Sequence, residues 1–261
     1  MIERRPGIIF DLDGTVYRGN QLIPGAREAV ERLRRWAHPI IFVTNALESS
    51  AEHAAKLTRF GIPTSPDEVI HAPLVLMRYL SRHMPGATVF AISDPPLLEA
   101  LRANFRLSED PAEIDVVVVS CDRTFDFRKL NIAFQALRRG ARFLAVNADA
   151  TAPVTGGEIP DAGAVIGALE GCSKRKVELV VGKPSPLMVE AALERLGRPA
   201  SECLLVGDSL ETDILMGHRA GMTTALVLTG VTRRADLAHA PVRPDYVLES
   251  IAGTPRLLGS D

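Results

Sequence analysis

Residues 7–15 read GIIFDLDGT, a short apolar run that ends in Asp11-Leu12-Asp13-Gly14-Thr15. The run reads as a β-strand. PGAREAVERLRRW (24–36) follows as a helix, with Pro24 near its start and Ala26, Ala29, Val30 and Leu33 on one face. PIIFVTN (39–45) then reads as a second strand. Strand, helix, strand is the repeating unit of parallel α/β architecture.

The same rhythm continues outward. Helices are expected over 48–60, stopped by Gly61, and over 72–83, stopped by Pro85-Gly86. TVFAIS (88–93), IDVVVVSC (114–121) and ARFLAVN (141–147) read as strands, with helices over 96–104 and 129–140 between them. The Val116 to Val119 run has no polar alternation, so it is expected to be covered on both faces. ELVVGK (178–183), ECLLVGD (202–208) and TTALVLTG (223–230) return to the opening pattern, separated by helices in PLMVEAALERLG (186–197) and ETDILMGHRAG (211–221). These three strands are expected to complete the sheet begun by GIIF.

A chain of 261 residues is long for one typical domain and short for two. The expectation is a discontinuous core, 1–84 and 176–261, carrying a smaller α/β domain at 85–175. With 30 Lys+Arg against 32 Asp+Glu the formal net charge is -2, which argues against nucleic-acid or anionic-membrane partners. The three cysteines lie far apart with no CxxC pair, and the six histidines form no metal-ligand spacing. The N-terminal stretch lacks a signal-peptide core and no apolar run approaches membrane-spanning length, so a cytoplasmic location is expected.

Ligands of open parallel sheets bind beyond the carboxyl ends of the strands. Asp11 and Asp13 follow the first strand, Thr44 and Asn45 the second, Lys183-Pro184 the LVVG run, and Asp208 the LLVG run, with Asp213 five residues later. Any one acid at a strand end is an ordinary turn or cap residue. The whole set suits phosphate-ester chemistry. One carboxylate of the Asp11/Asp13 pair can attack phosphorus while the other moves the proton of the leaving group. Two carboxylates need a counter-charge beside a phosphate dianion. Asp11 and Asp208 offer a hard, oxygen-only ligand set that suits Mg²⁺, and Lys183 adds positive charge. Thr44 and Asn45 can donate to phosphoryl oxygens, and Asp213 suits orienting the metal site better than direct ligation.

DLDGT, TN, GKP and GDSLETDI, in this order and at this spacing, resemble the four motifs of the haloacid dehalogenase (HAD) superfamily of phosphatases. The insert between the second and third motifs resembles the NagD-like branch, subfamily IIA. DLDGTVYRGNQLIPGAREA, VVGKPSPLMVEAA and YVLESI are similar to the AraL-type sugar phosphatases of that branch. The resemblance implies a Rossmann-like core with an inserted C2-type α/β cap. It implies Asp11 as nucleophile, Asp13 as acid-base with its backbone carbonyl on the metal, Thr44 and Asn45 as phosphate binders, Lys183 as charge stabiliser, and Asp208 as metal ligand supported by Asp213. The cap of the family supplies the leaving-group pocket, which by position points to Asn147 and Asp149 and to the PDAGA stretch (Asp161, Ala162, Gly163).

The resulting expectation is a Mg²⁺-dependent phosphomonoesterase acting on small metabolite phosphates, sugar phosphates first. Nucleotides, phosphoglycolate and pyridoxal phosphate remain open as substrates, and a homo-oligomer remains open as the assembly. Three other readings compete: a phosphomutase, which should release little phosphate; a phosphorylated receiver module, which would be far shorter and uncapped; and a catalytically idle metabolite sensor.

Overall fold

The computed structural model describes residues 5–154, 157–240 and 242–259, and the chain divides into two compact units. One unit comprises residues 1–44, 50–70 and 183–261, and the other residues 45–49 and 71–182.

The first unit is organised about the strand Gly7–Asp11, all five residues of which are buried. It lies inside a six-stranded sheet ordered Tyr246–Leu248, Thr223–Val227, Cys203–Gly207, Gly7–Asp11, Ile40–Thr44, Val69–His71. The pairings from Tyr246–Leu248 through Ile40–Thr44 are parallel. From Gly7–Asp11 the chain steps outward in one direction, and from Cys203–Gly207 it steps outward in the other. The two central strands therefore form a topological switch point, and the residues beyond their carboxyl ends face a crevice. Register matters here: Phe10 pairs with Val206 and Asp11 with Val43, so Asp11, Thr44 and Asp208 emerge at the same edge.

The helix Ala26–Arg35 buries the four residues expected of it, Ala26, Ala29, Val30 and Leu33, in one cluster with Ile8, Phe10 and Phe42. Each fully buried large aliphatic contributes about 1.5–3 kcal/mol. The helix Pro186–Leu196 opens with Pro186 at its first position, Ser185 accepting from the Leu187 N–H, and closes at Gly197 with φ 63°. This start signal sits immediately after Lys183-Pro184, so helix capping also fixes where the lysine loop ends. Past Asp208 the expected helix begins as a wide π-helical turn, Leu210–Ile214, before the α-helix Leu215–Ala220.

The second unit has its own parallel sheet, ordered Leu179–Val180, Arg142–Ala145, Val116–Val119, Thr88–Ile92, Arg106–Leu107. Val116–Val119 is buried throughout, as its unbroken apolar run requires. Ala72–His83, Pro95–Asn104, Phe127–Arg138 and Ala162–Ser173 are its helices, and Thr151–Val154 pairs with Gly157–Pro160 as an antiparallel hairpin.

The structure differs from the sequence expectation in two respects. The inserted unit is wider than 85–175: it takes in 71–84 and 176–182 as well as 45–49. The ELVVGK strand is not part of the core sheet. Only Leu179–Val180 is extended, and it pairs with Leu144 and Ala145 at the edge of the second sheet. Glu178 fixes that edge by accepting from the Phe143 N–H at 3.2 Å and pairing with Arg142 and Arg175. No described helix is long and apolar enough to cross a membrane.

Candidate active site

Asp11 follows Phe10 at the end of the central strand with 3% of its surface exposed, and Lys183, Asp208 and Asp213 are equally enclosed. Lys183 Nζ donates to Asp11 Oδ1 at 2.5 Å and to Asp213 Oδ1 at 2.8 Å. Ser209 N–H donates to the other Asp213 oxygen at 3.2 Å. The π-helical turn accounts for this geometry, since it carries Asp213 inward to full burial. Carboxylate oxygens of Asp11, Asp208 and Asp213 lie within 4.8 Å of one another.

Three buried carboxylates face one ammonium, and the proton affinities record the imbalance. Burial raises the Asp11 carboxyl to about 7, against the pull of Lys183 and with a further push from Asp213. Asp208 is raised well above its ordinary value by burial and then by Asp11 and Asp213. Burial alone would lower Lys183, but Asp11 and Asp213 outweigh it and hold the amine charged. Among the described residues, none donates a hydrogen bond to Asp11 Oδ2. An orphaned buried carboxylate oxygen within an oxygen-only cluster fits a hard divalent cation such as Mg²⁺.

Asp13 lies on the exposed side of the turn. Its carboxyl is raised by partial desolvation, opposed chiefly by Lys56. Gly14 at φ 89° allows that turn and also clears the neighbouring acid, because a Cβ there would stand 2.3 Å from Asp208 Oδ2. Thr44 is buried at the end of Ile40–Thr44.

The remaining expected residues gather in the second unit. Asn45 donates its amide to Asp149 Oδ2 at 3.1 Å. Asn147 donates to the same oxygen at 2.9 Å and to Asp161 Oδ2 at 3.1 Å, and accepts from Ser120 Oγ at 3.2 Å. Asp161 also caps the helix Ala162–Ser173 through the Ala162 N–H. Gly163 packs against the preceding turn, where a Cβ would lie 3.0 Å from Ala150 Cα. Asn45, Asn147, Asp149 and Asp161 line a cavity of about 310 Å³. Burial pushes the nearby Cys121 thiol up to about 11, with Asp161 and Asp94 adding to the effect.

Sequence reasoning missed two groups of residues. Asp94, Ser120 and Arg123 also line the cavity, and each follows a strand of the second parallel sheet. The strand-end rule, applied to that sheet as it was to the core, finds them. The loop after Thr223–Val227 was missed as well. Thr229 Oγ1 donates to the Gly14 carbonyl at 2.6 Å, and the Val231 N–H donates to Asp208 Oδ2 at 2.7 Å. Gly230 approaches Asp208 so closely that a Cβ there would stand 1.7 Å from Oδ2. A Thr-Gly pair directly after a buried strand was the available signal.

Comparison with known proteins agrees with this arrangement. A haloacid dehalogenase-like hydrolase family model matches residues 8–104, and a HAD-hydrolase-like model matches residues 180–254. The chain is 42% identical to the sugar-phosphatase AraL of Bacillus subtilis (strain 168) over 253 residues, 96% of this chain and 92% of that one. It superposes on the crystal structure of a 4-nitrophenylphosphatase from Thermotoga maritima with a TM-score of 0.91, at 30% identity and 98% coverage of both chains. It superposes on NagD from E. coli K-12 with a TM-score of 0.85, at 29% identity, covering 96% of this chain and 98% of that one. The similarity runs through both units and all four strand-end motifs, so the chain belongs to the NagD-like branch, subfamily IIA, of the haloacid dehalogenase superfamily, and it is a phosphatase.

Proposed function

We propose that the protein is a Mg²⁺-dependent phosphomonoesterase of small metabolites, sugar phosphates foremost, working through an aspartyl-phosphate on Asp11. The observation that carries this reading is the buried Asp11 carboxylate, held at 2.5 Å by Lys183 and with one oxygen that no donor among the described residues reaches. The sugar preference draws on the similarity to AraL.

In this reading an Asp11 oxygen attacks phosphorus as the bond from phosphorus to the ester oxygen breaks. Asp13 gives its proton to the departing alkoxide. The raised proton affinity of its carboxyl suits that task, because a general acid must be protonated near working pH. The Asp13 carboxylate then takes a proton from water as the water oxygen attacks phosphorus, which frees Asp11 and inorganic phosphate. Lys183 favours the ionised form of Asp11 and offsets the charge of the phosphoryl group. Thr44 and Asn45 donate hydrogen bonds to phosphoryl oxygens.

Asp11, Asp208 and the Asp13 carbonyl would hold Mg²⁺, with Asp213 supporting them. When bound, the ion supplies positive charge that lowers the cost of bringing a phosphate dianion to a carboxylate. The reading takes the first compact unit as the catalytic core and the second as the cap. The second-unit cavity, with Asn147 and Asp149, takes the leaving group.

The test is phosphate release from p-nitrophenyl phosphate. Activity should require Mg²⁺, disappear in EDTA, and fall by at least about 10³-fold in Asp11→Asn, a variant that keeps its circular dichroism spectrum. Undiminished turnover by that variant would falsify the mechanism. A metabolite panel ranked by kcat/KM then names the substrate class.

A further inference from the structure

The cavity of the second unit has a lopsided chemistry. Among the described lining residues, Asp94, Asp149 and Asp161 stand against the single guanidinium of Arg123. That guanidinium is already directed at protein: Arg123 Nε donates to Asp94 Oδ2 at 2.7 Å, and its backbone N–H donates to Asp94 Oδ1 at 3.0 Å. The Arg123 side chain is also 70% exposed, so its field is weakened by solvent.

The neutral donors are spent in the same way. The Asn147 amide points one hydrogen at Asp149 and the other at Asp161, the Ser120 hydroxyl points at Asn147, and one of the two Asn45 amide hydrogens points at Asp149. What the wall offers a ligand is therefore a surplus of acceptors within a net negative field. Asp161 registers that field: burial raises its carboxyl, the Ala162 N–H opposes this, and Asp149 raises it further.

A hydroxyl or an ammonium brings the donors that such a wall lacks. A second carboxylate or phosphate brings more acceptors and more negative charge, and would be stripped of water without a partner. We infer that this cavity selects phosphate esters whose leaving groups are uncharged or cationic and rich in hydroxyl or ammonium donors, that it turns away those with a second anionic group, and that Asp149 sets the preference. The inference rests on the reading above that the leaving group enters this cavity. It goes beyond that reading by naming which members of a broad metabolite class are excluded.

Two esters isolate the effect. Sorbitol 6-phosphate and 6-phosphogluconate are open-chain six-carbon compounds that differ only in carrying a hydroxymethyl or a carboxylate at the far end. The wild-type protein should show a kcat/KM at least tenfold higher for sorbitol 6-phosphate, and glucosamine 6-phosphate should be no worse a substrate than glucose 6-phosphate. Asp149→Asn should shrink the ratio between the two open-chain esters at least threefold, with Asp161→Asn as the second variant.

A wild-type ratio of one or below overturns the inference and needs no variant. So does cleavage of p-nitrophenyl phosphate with neither open-chain ester hydrolysed, or a ratio that neither variant changes. Failure to release phosphate from any compound, p-nitrophenyl phosphate included, would instead remove the phosphatase reading itself, so the two failures are distinguishable.

Discussion

Lys183 and Asp11 stand 172 positions apart in the chain and meet at 2.5 Å between Nζ and Oδ1, each almost wholly enclosed. The lysine is shared with Asp213 at 2.8 Å, so one ammonium serves two buried carboxylates. It is the hinge of the site's electrostatics, because Asp11 is raised to about 7 even with Lys183 opposing the effect of burial.

Removing that charge therefore costs both stability and chemistry. Lys183→Met should lose about 3–5 kcal/mol in urea denaturation carried out in EDTA, the range for stripping one partner from a buried ion pair. It should also abolish phosphate release. An unchanged denaturation midpoint would mean that the pair contributes nothing to folding.

Gly230 tests the orientation of Asp208 without altering any charged group. An added methyl would collide with Asp208 Oδ2 at 1.7 Å, and the close neighbour is the carboxylate that the Val231 N–H also grips. Gly230→Ala should raise the Mg²⁺ concentration for half-maximal activity at least about tenfold, a loss of the size expected when a ligand's support is disturbed. It should also reduce the rise in melting temperature that Mg²⁺ produces in the wild type. Wild-type behaviour in both measurements would show that the loop yields.

Gly167 is the opposite case. It lies on the exposed face of the helix Ala162–Ser173, and a Cβ there meets nothing within 4 Å. Gly167→Ala should stabilise the protein by about 0.5–1 kcal/mol, since glycine in a helix interior is that much less favourable than alanine. Differential scanning calorimetry should show a rise of a few degrees at unchanged activity.

The cysteines make a pH prediction. Burial raises the thiols of Cys121 and Cys203 to about 11, while Cys172 is exposed. A raised thiol carries little thiolate at neutral pH, and the thiolate is the nucleophile. Iodoacetamide at pH 7.5 should label Cys172, with Cys121 and Cys203 following only as the pH approaches 11. Mass spectrometry reads the order directly, and early labelling of Cys121 would contradict the burial argument.

Much of the fold was legible because the core strands are short apolar runs broken by polar residues, and because Ala26, Ala29, Val30 and Leu33 repeat at helical spacing. One misreading, that of ELVVGK, and two omissions have physical causes. In Ala162–Ser173 the buried Ala162, Val165, Ile166 and Leu169 follow helical spacing, but glycines and alanines on the other face hide the contrast. ELVVGK resembles any buried strand by composition, and its sheet was chosen by pairing with Leu144 and Ala145. The hairpin of Thr151–Val154 and Gly157–Pro160 carries no alternation that marks it.

Which residues bear the chemistry follows from the sequence by itself, since acids, a hydroxyl and a lysine at the ends of apolar runs are visible in one dimension. Which oxygen holds which nitrogen was decided only by tertiary structure. Strand order brings Asp11 beside Asp208, a π-helical turn carries Asp213 inward, and Gly14 and Gly230 make room around Asp208. The surplus of acceptors in the second unit belongs to the same category. It exists because strand ends converge and the local donors Asn147 and Arg123 are consumed by nearby carboxylates, a balance that no linear spacing records.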